Sequence, residues 1–176
     1  MLVRAQSTNG LTESELSDYQ SRGFVPLDGR FTADEVAAWQ AECDRLLGFK
    51  DLLDPDNLRF EFAKGHVWKF DPLVDISPLF AQLSRDPRIL APLSTIYGGR
   101  DPVLFKDKLI YKPPGTHGSG LHQDYTWWQG FPTSMITVTI AIDGGTRENG
   151  CTDPHSTHVA QIDGQLKNIR VHTDIL

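Results

Sequence analysis

Hydrophobic and polar positions follow a helical period through the first half of the chain. Residues 12–15 and 32–35 each place a threonine three residues before a glutamate, a pattern that predicts a capping box at a helix start. We expect the first helix to end near Gly23. The second helix has one apolar stripe, formed by Val36, Trp39, Cys43, Leu46 and Leu47. This spacing predicts that Trp39 is a core anchor and not a ligand contact.

Further helices and a hairpin are predicted before residue 100. Residues 59–62 and 66–70 alternate in the manner of two hairpin strands. Helices are expected over residues 77–82 and 87–97, and Gly98-Gly99 stops the second of them. Residues 1–10 are expected to be a loose terminus.

The pattern after residue 100 favours strands. Residues 103–112 form an apolar, β-favouring run that a Pro-Pro-Gly turn closes. Residues 134–142 form a second such run, in which Val138 and Ile140 share one face and Thr137 and Thr139 the other. Strand, turn, strand, loop and strand predict an antiparallel arrangement typical of double-sheet jelly rolls.

The segment between these two runs contains His122-Gln123-Asp124. Side chains two positions apart lie on the same side of an extended backbone, so this imidazole and carboxylate can grip one cation. Together they supply two of the three ligands in the 2-His-1-carboxylate triad that holds non-heme Fe(II). The alternative is a histidine hydrogen-bonded to a nearby aspartate on a solvated loop.

Four segments in this order resemble the phytanoyl-CoA dioxygenase family of Fe(II)/2-oxoglutarate-dependent oxygenases. They are residues 108–115, 122–124, 138–143 and 148–151. Residues 23–29, which read Gly-Phe-Val-Pro-Leu-Asp-Gly before a helix, are similar to the family's opening strand and helix. The resemblance extends to about His158.

The resemblance implies a mostly β chain with N-terminal helices, folded as a double-stranded β-helix (a cupin-like jelly roll). A single domain is expected over residues 1–176, with residues 11–100 as a helix-rich support. The jelly-roll strands and the metal motif then belong to residues 101–176.

The resemblance also implies roles for individual residues. His122 and Asp124 would bind iron, and the retained carboxylate of Asp124 implies oxygen insertion and not halogenation. Lys108 matches a cosubstrate contact, and its ammonium would pair with a carboxylate of 2-oxoglutarate. By strand alternation Lys108 shares a face with Ile110 and Lys112, and a solvent-exposed strand lysine is the open alternative.

Aromatic residues follow the metal motif directly. Tyr125 and Trp127, with Trp128 beside them, could contact the substrate and exclude water from the site. Ordinary packing under a long loop explains them equally well.

The third iron ligand and the arginine that binds 2-oxoglutarate in the family are not found. Residues 154–158 resemble the family loop that precedes the strand of the distal histidine. His172 is the only later histidine, and no arginine follows it, so His172 is not assigned as a ligand. We therefore expect this sequence to be a fragment, a shortened isoform or a version that omits segments of a longer protein. In each case we expect the jelly roll to be missing its C-terminal strands.

Composition narrows the class of partner. A net charge of −6 argues against a general nucleic-acid binder, which needs a basic face. No apolar run is long enough to span a bilayer, and residues 1–4 show no signal-peptide pattern, so a cytoplasmic protein is expected. Cys43 and Cys151 are expected to be reduced thiols.

These inferences predict an Fe(II)/2-oxoglutarate-dependent dioxygenase that uses molecular oxygen to hydroxylate a small organic substrate, with decarboxylation of 2-oxoglutarate to succinate. One alternative is a catalytically inactive jelly-roll module for ligand binding or interaction. The missing distal strand favours it, while His122, Asp124 and Lys108 count against it. A cupin-like metal protein with no need of 2-oxoglutarate is the third possibility. The sequence names neither the substrate nor the oligomeric state.

Overall fold

The computed structural model describes residues 10–54, 56, 58–61, 66–113, 130, 134–146, 148 and 167–171. These residues are mixed helix and sheet, with all helices before residue 97. The helices are α1 (Glu13–Arg22), α2 (Ala33–Gly48), α3 (Pro78–Leu83) and α4 (Pro87–Ile96), with a 3₁₀ turn at Lys50–Leu52. The strands are β1 (Phe24–Pro26), β2 (Leu58–Glu61), β3 (His66–Phe70), β4 (Leu109–Ile110), β5 (Ile136–Ile140) and β6 (Lys167–Val171).

The helix boundaries agree with the predictions because short-range hydrogen bonds set them. Both capping boxes are present: the hydroxyls of Thr12 and Thr32 accept from the backbone N–H groups of Glu15 and Glu35. α1 ends at Gly23, whose φ of 79° is a left-handed conformation that glycine adopts without strain. Side-chain caps and a proline in the first turn also begin α3 and α4.

The strands form two three-stranded sheets, and one of them contains parallel pairs that the sequence did not predict. β2, β3 and β4 are antiparallel in that order, so the hairpin prediction is confirmed. β6 instead lies between β1 and β5 and is parallel to both. Sequence analysis missed β6, although polar and apolar residues alternate over 168–171. Parallel partners lie far apart in sequence, so a local pattern does not reveal their direction.

The predicted strand over residues 103–112 is reduced to the two residues of β4. Leu109 and Ile110 pair with Phe70 and Lys69 of β3. Before them, Asp107 turns inward, and its Oδ2 accepts from the backbone N–H groups of residues 73 and 74 at 2.9 and 2.8 Å. The Asp107 side chain thus binds the segment before β4 to the turn at residues 73 and 74. The β propensity of residues 103–112 could not show this contact.

The expected loose terminus does not include Gly10. The backbone N–H of Leu11 donates to Thr95 Oγ1 at 3.2 Å, and a Cβ atom at Gly10 would overlap that hydroxyl. The chain therefore packs against α4 from Gly10 onward, and residues 1–9 lie outside the described residues.

The core lies between the helices and one face of the strands. Trp39 is 4% exposed and packs edge-on against Phe31 at 4.8 Å, which confirms its role as a core anchor. Phe70 is fully buried, and Leu109, its partner across the ladder, is 8% exposed. Ile136, Val138 and Ile140 of β5 face the same core, as the alternation predicted. The helices therefore cover one side of the strands.

A charged network links α2 to α4. The Arg88 guanidinium pairs with Glu35 and Asp86, each at 2.6 Å, and lies over the Phe31 ring at 4.4 Å. The bond from Arg88 is the main reason why the pKa of Glu35 falls from 4.5 to about 2. The folded state therefore holds this carboxylate ionised more strongly than the unfolded chain does.

Replacing Arg88 with glutamine is expected to lower the free energy of unfolding at pH 7 by about 1–3 kcal/mol. The contribution of Glu35 is fully present above pH 4.5 and is lost as the pH falls towards 2, because its folded pKa is depressed. The variant should therefore show a shallower loss of stability across this window in urea titrations. Arg85→Gln is the control, since Arg85 is exposed. If the free energy of unfolding depended on pH in the same way in wild type, Arg88→Gln and Arg85→Gln, Arg88 would not be the cause of the lowered pKa of Glu35.

Candidate functional site

The predicted metal motif lies between β4 and β5 in sequence, and both strands are attached to α2. The hydroxyl of Tyr111, just after β4, donates to the backbone carbonyl of Cys43 at 2.8 Å. Gln40, one turn earlier, donates to the carbonyl of Ile142 at 3.3 Å and to Asp143 Oδ1 at 3.0 Å. One helix face thus fixes the chain on both sides of the interval that carries His122-Gln123-Asp124.

A third bond holds the chain at the entrance to β5. The hydroxyl of Tyr97, the residue after α4, donates to the carbonyl of Ser134 at 2.5 Å. Burial raises the pKa of Tyr97, so its phenol stays protonated and keeps its donor at neutral pH. The interval from Pro113 to Ser134 therefore begins and ends at positions that the helical layer determines.

Cys43 lies at this attachment point as a structural residue. It is a buried free thiol, in agreement with the prediction of a reduced cysteine. Burial, with carboxylates such as Asp143 nearby, raises its pKa to about 12. The thiol is therefore neutral at physiological pH and is a poor nucleophile or metal ligand. Cys151 lies outside the described residues.

The strand face away from the helices carries the polar side chains. Leu109 is buried and Tyr111 half-buried, whereas Lys108, Ile110 and Lys112 on the opposite face are exposed, so the predicted alternation holds. Lys69 lies opposite Ile110 in the ladder and shares its face. We call the surface formed by Lys69, Lys106, Lys108 and Lys112 the lysine face.

A buried carboxylate joins two members of the lysine face. Asp71 is 6% exposed, and its Oδ2 lies 2.9 Å from Lys106 Nζ and 3.3 Å from Lys69 Nζ. Burial raises the pKa of Asp71, but the two ammonium groups outweigh it and hold the pKa below its usual value. These contacts are ion pairs without well-aligned hydrogen bonds to Oδ2. Asp71 is therefore an ionised group that fixes two ammonium heads.

The structure places one of the five predicted site residues. Lys108 lies on the exposed strand face and forms no ion pair with the residues described here. His122 and Asp124, the predicted metal ligands, and Tyr125 and Trp127, the predicted substrate contacts, lie outside the described residues. His172 lies outside them as well.

Sequence analysis missed Lys69, Lys106 and Asp71. The signal for Lys106 was present, since residues 106, 108 and 112 are lysines of equal parity on an extended segment. Lys69 and Asp71 join them only through strand pairing. Within the described ranges, no group of three His, Cys, Asp or Glu residues is arranged to hold a metal ion. No described helix combines the length and hydropathy needed to cross a membrane.

Comparison with known proteins identifies the family. The sequence model of the phytanoyl-CoA dioxygenase (PhyH) family matches residues 19–153, more than half of the chain. This chain belongs to the phytanoyl-CoA dioxygenase family. The matched residues include Lys108 and the His122-Gln123-Asp124 motif, and they include both strands attached to α2.

Two relatives illustrate the place of this PhyH chain in the family. It is 43% identical over 151 residues to a methylphosphonate hydroxylase of Gimesia maris, covering 80% of this chain and 54% of the relative. It is 30% identical over 132 residues to an ectoine dioxygenase of Streptomyces anulatus, covering 73% and 44%. The chain thus spans about half the length of the curated relatives it matches.

A solved structure has the same fold as this PhyH chain. EctD from S. alaskensis, solved with 2-oxoglutarate and 5-hydroxyectoine, superposes with a TM-score of 0.56 at 24% identity. The superposition covers 64% of this chain and 38% of EctD. At this identity the likeness concerns the fold alone.

Proposed function

We propose that this chain is an Fe(II)/2-oxoglutarate-dependent oxygenase that hydroxylates a small organic substrate. The observation that carries the proposal is the His122-Gln123-Asp124 motif inside the stretch that matches the PhyH family. Relatives named dioxygenase and hydroxylase support the reaction class, and the EctD structures with iron and with 2-oxoglutarate support the cofactors.

The donor chemistry of the motif fits ferrous iron. A neutral imidazole nitrogen and one carboxylate oxygen are two ligands of the facial set that leaves positions open on Fe(II). When bound, iron with 2-oxoglutarate would supply the activation of oxygen, with decarboxylation of 2-oxoglutarate to succinate. The third protein ligand and the cosubstrate arginine are not assigned in this chain.

The protein residues would bind, orient and shield the reactants. His122 and Asp124 would hold the metal, and α2 would position them through its bonds at both ends of the interval. The ammonium of Lys108, on the exposed strand face, would neutralise a carboxylate of 2-oxoglutarate. Tyr125 and Trp127 would line the substrate space and exclude water from it.

We propose that the architecture is a double-stranded β-helix in one domain over residues 1–176. The helical layer covers one face of the described strands, while the lysine face and the threonines of β5 point away from it. In a jelly roll this uncovered face would be the inner one. The match of the fold to EctD supports this arrangement.

An anaerobic titration tests the function. Addition of Fe(II) and then 2-oxoglutarate to the purified chain is expected to produce the weak visible charge-transfer band of the chelated cosubstrate. If the chain binds neither Fe(II) nor 2-oxoglutarate, it would be the catalytically inactive module. The lack of an assigned third iron ligand favours that alternative. Iron retention that 2-oxoglutarate does not affect would indicate a cupin-like metal protein. Either result would overturn the proposal.

A further inference from the structure

Asp107 lies immediately before Lys108, and its side chain connects this segment to a distant part of the chain. Its Oδ2 accepts from the backbone N–H groups of Leu73 and Val74 at 2.9 and 2.8 Å, across 34 and 33 residues of sequence. Both distances are those of well-formed hydrogen bonds, and a carboxylate oxygen is a strong acceptor for such donors. Asp107 therefore fixes the backbone at the position that precedes Lys108.

Strand pairing and packing leave this segment with few other constraints. β4 consists of two residues, which pair with β3 on one side. In the approach to Asp107, Val103 and Leu104 are 89% and 52% exposed, so they bury little apolar surface that would hold the backbone in place. The two bonds to Asp107 act directly beside Lys108, where a constraint on the backbone also sets the direction of the lysine side chain.

The surroundings of Asp107 are unfavourable for a carboxylate. Burial is the main reason why its pKa is raised, the carboxylates of Asp71 and Asp75 add to the rise, and the two backbone bonds oppose it only in part. Asp71 itself contacts the ammonium groups of Lys69 and Lys106. The gain in stability from the two bonds is therefore offset in part by the cost of placing this carboxylate here, and a role in positioning its neighbour explains its presence better.

We propose that Asp107 is a positioning residue for 2-oxoglutarate, acting through Lys108. This inference rests on the proposed function, which assigns the Lys108 ammonium to a carboxylate of the cosubstrate. Adjacent side chains of an extended segment point to opposite faces. Because Asp107 is bonded inward, Lys108 points to the exposed face. A lysine whose direction is fixed in advance loses less entropy when it binds an anion.

Titration of the iron-loaded chain with 2-oxoglutarate, followed by the visible band, tests the proposal. Asp107→Ala is expected to weaken cosubstrate binding about 3- to 10-fold, which corresponds to the cost of ordering one long side chain. Iron retention should not change, because Asp107 is not assigned to the metal. Asp107→Asn keeps an oxygen that can accept both bonds and should restore most of the affinity. Asp75→Ala is the matched control: it removes a neighbouring exposed carboxylate, keeps both bonds and should leave the affinity unchanged.

A double-mutant cycle distinguishes positioning from a general loss of stability. In the Lys108→Met background, Asp107→Ala should change the 2-oxoglutarate affinity less than about 2-fold, because the residue through which Asp107 acts is gone. If the effects of the two changes on affinity were additive, Asp107 would not act through Lys108 and the inference would be overturned. A lower unfolding midpoint in Asp107→Ala with unchanged 2-oxoglutarate affinity would show a structural role only and would also overturn it.

Amide hydrogen exchange in the wild type provides a test that needs no variant. If the bonds to Asp107 favour cosubstrate binding, binding must favour the bonds by the same factor, so saturating 2-oxoglutarate should slow exchange at Leu73 and Val74. Unchanged exchange at both amides while the visible band forms would overturn the inference and leave the oxygenase intact. Absence of the band from the wild type would overturn the proposed oxygenase, and this inference would fall with it.

Discussion

Replacing Asp124 with alanine is expected to abolish stoichiometric iron retention. The change removes one of the two protein ligands assigned to the metal. The loss of metal affinity should exceed the roughly 10–100-fold loss that follows from changing a residue that only hydrogen-bonds to a ligand. Iron per chain, measured after anaerobic loading and desalting, should fall from about one towards zero. The visible band with 2-oxoglutarate should vanish with it.

Asp101→Ala is the matched control for this experiment. Asp101 is exposed, so the same change there should leave iron content unaltered. Circular dichroism should show that the Asp124 variant keeps its helices, because the capped helices lie in another part of the chain. If the Asp124 variant still bound one iron per chain, the carboxylate would not be a ligand and the oxygenase proposal would fail.

Replacing Phe70 with alanine is expected to cost about 3–5 kcal/mol of the free energy of unfolding. The ring is fully buried, and it meets the Tyr111 ring edge-on at 5.8 Å. Removing it leaves a cavity beneath β4 and loosens the tyrosine that bonds to α2. Urea denaturation followed by fluorescence measures the loss.

Phe49→Ala provides the comparison for the Phe70 variant. Phe49 is 48% exposed at the end of α2, so the same deletion should cost less than about 1 kcal/mol. Iron affinity should fall in the Phe70 variant and stay constant in the Phe49 variant, because only Phe70 supports the strand that leads into the metal motif. Equal destabilisation of the two variants would contradict the assignment of the core.

Local rules predicted the helices well. The threonine–glutamate boxes and Gly23 act within one turn of the backbone, so the sequence shows them directly. Side-chain alternation in β4 and β5 was equally readable, because strand geometry alone determines which residues share a face. These predictions required no knowledge of distant contacts.

The arrangement of the strands required distant contacts and was predicted less well. The insertion of β6 between β1 and β5 brings together segments more than a hundred residues apart, and the parallel direction has no local signal. The shortening of the predicted strand over residues 103–112 depends on hydrogen bonds from residues 73 and 74 to Asp107. The hydrophobic pattern reveals neither the strands that pair with β6 nor the backbone groups that bond to Asp107.

The sequence by itself determined the helix limits, the strand faces and the pair of residue types suited to ferrous iron, because each depends on neighbours within a few positions. Tertiary structure alone decided that α2 bonds to the chain at Tyr111 and Ile142, on either side of the metal motif in sequence. It also decided that Lys69 and Asp71 join the lysines of the β4 segment. Those groups meet because strand pairing and helix packing bring separated segments to one surface, where charge and burial then act between them.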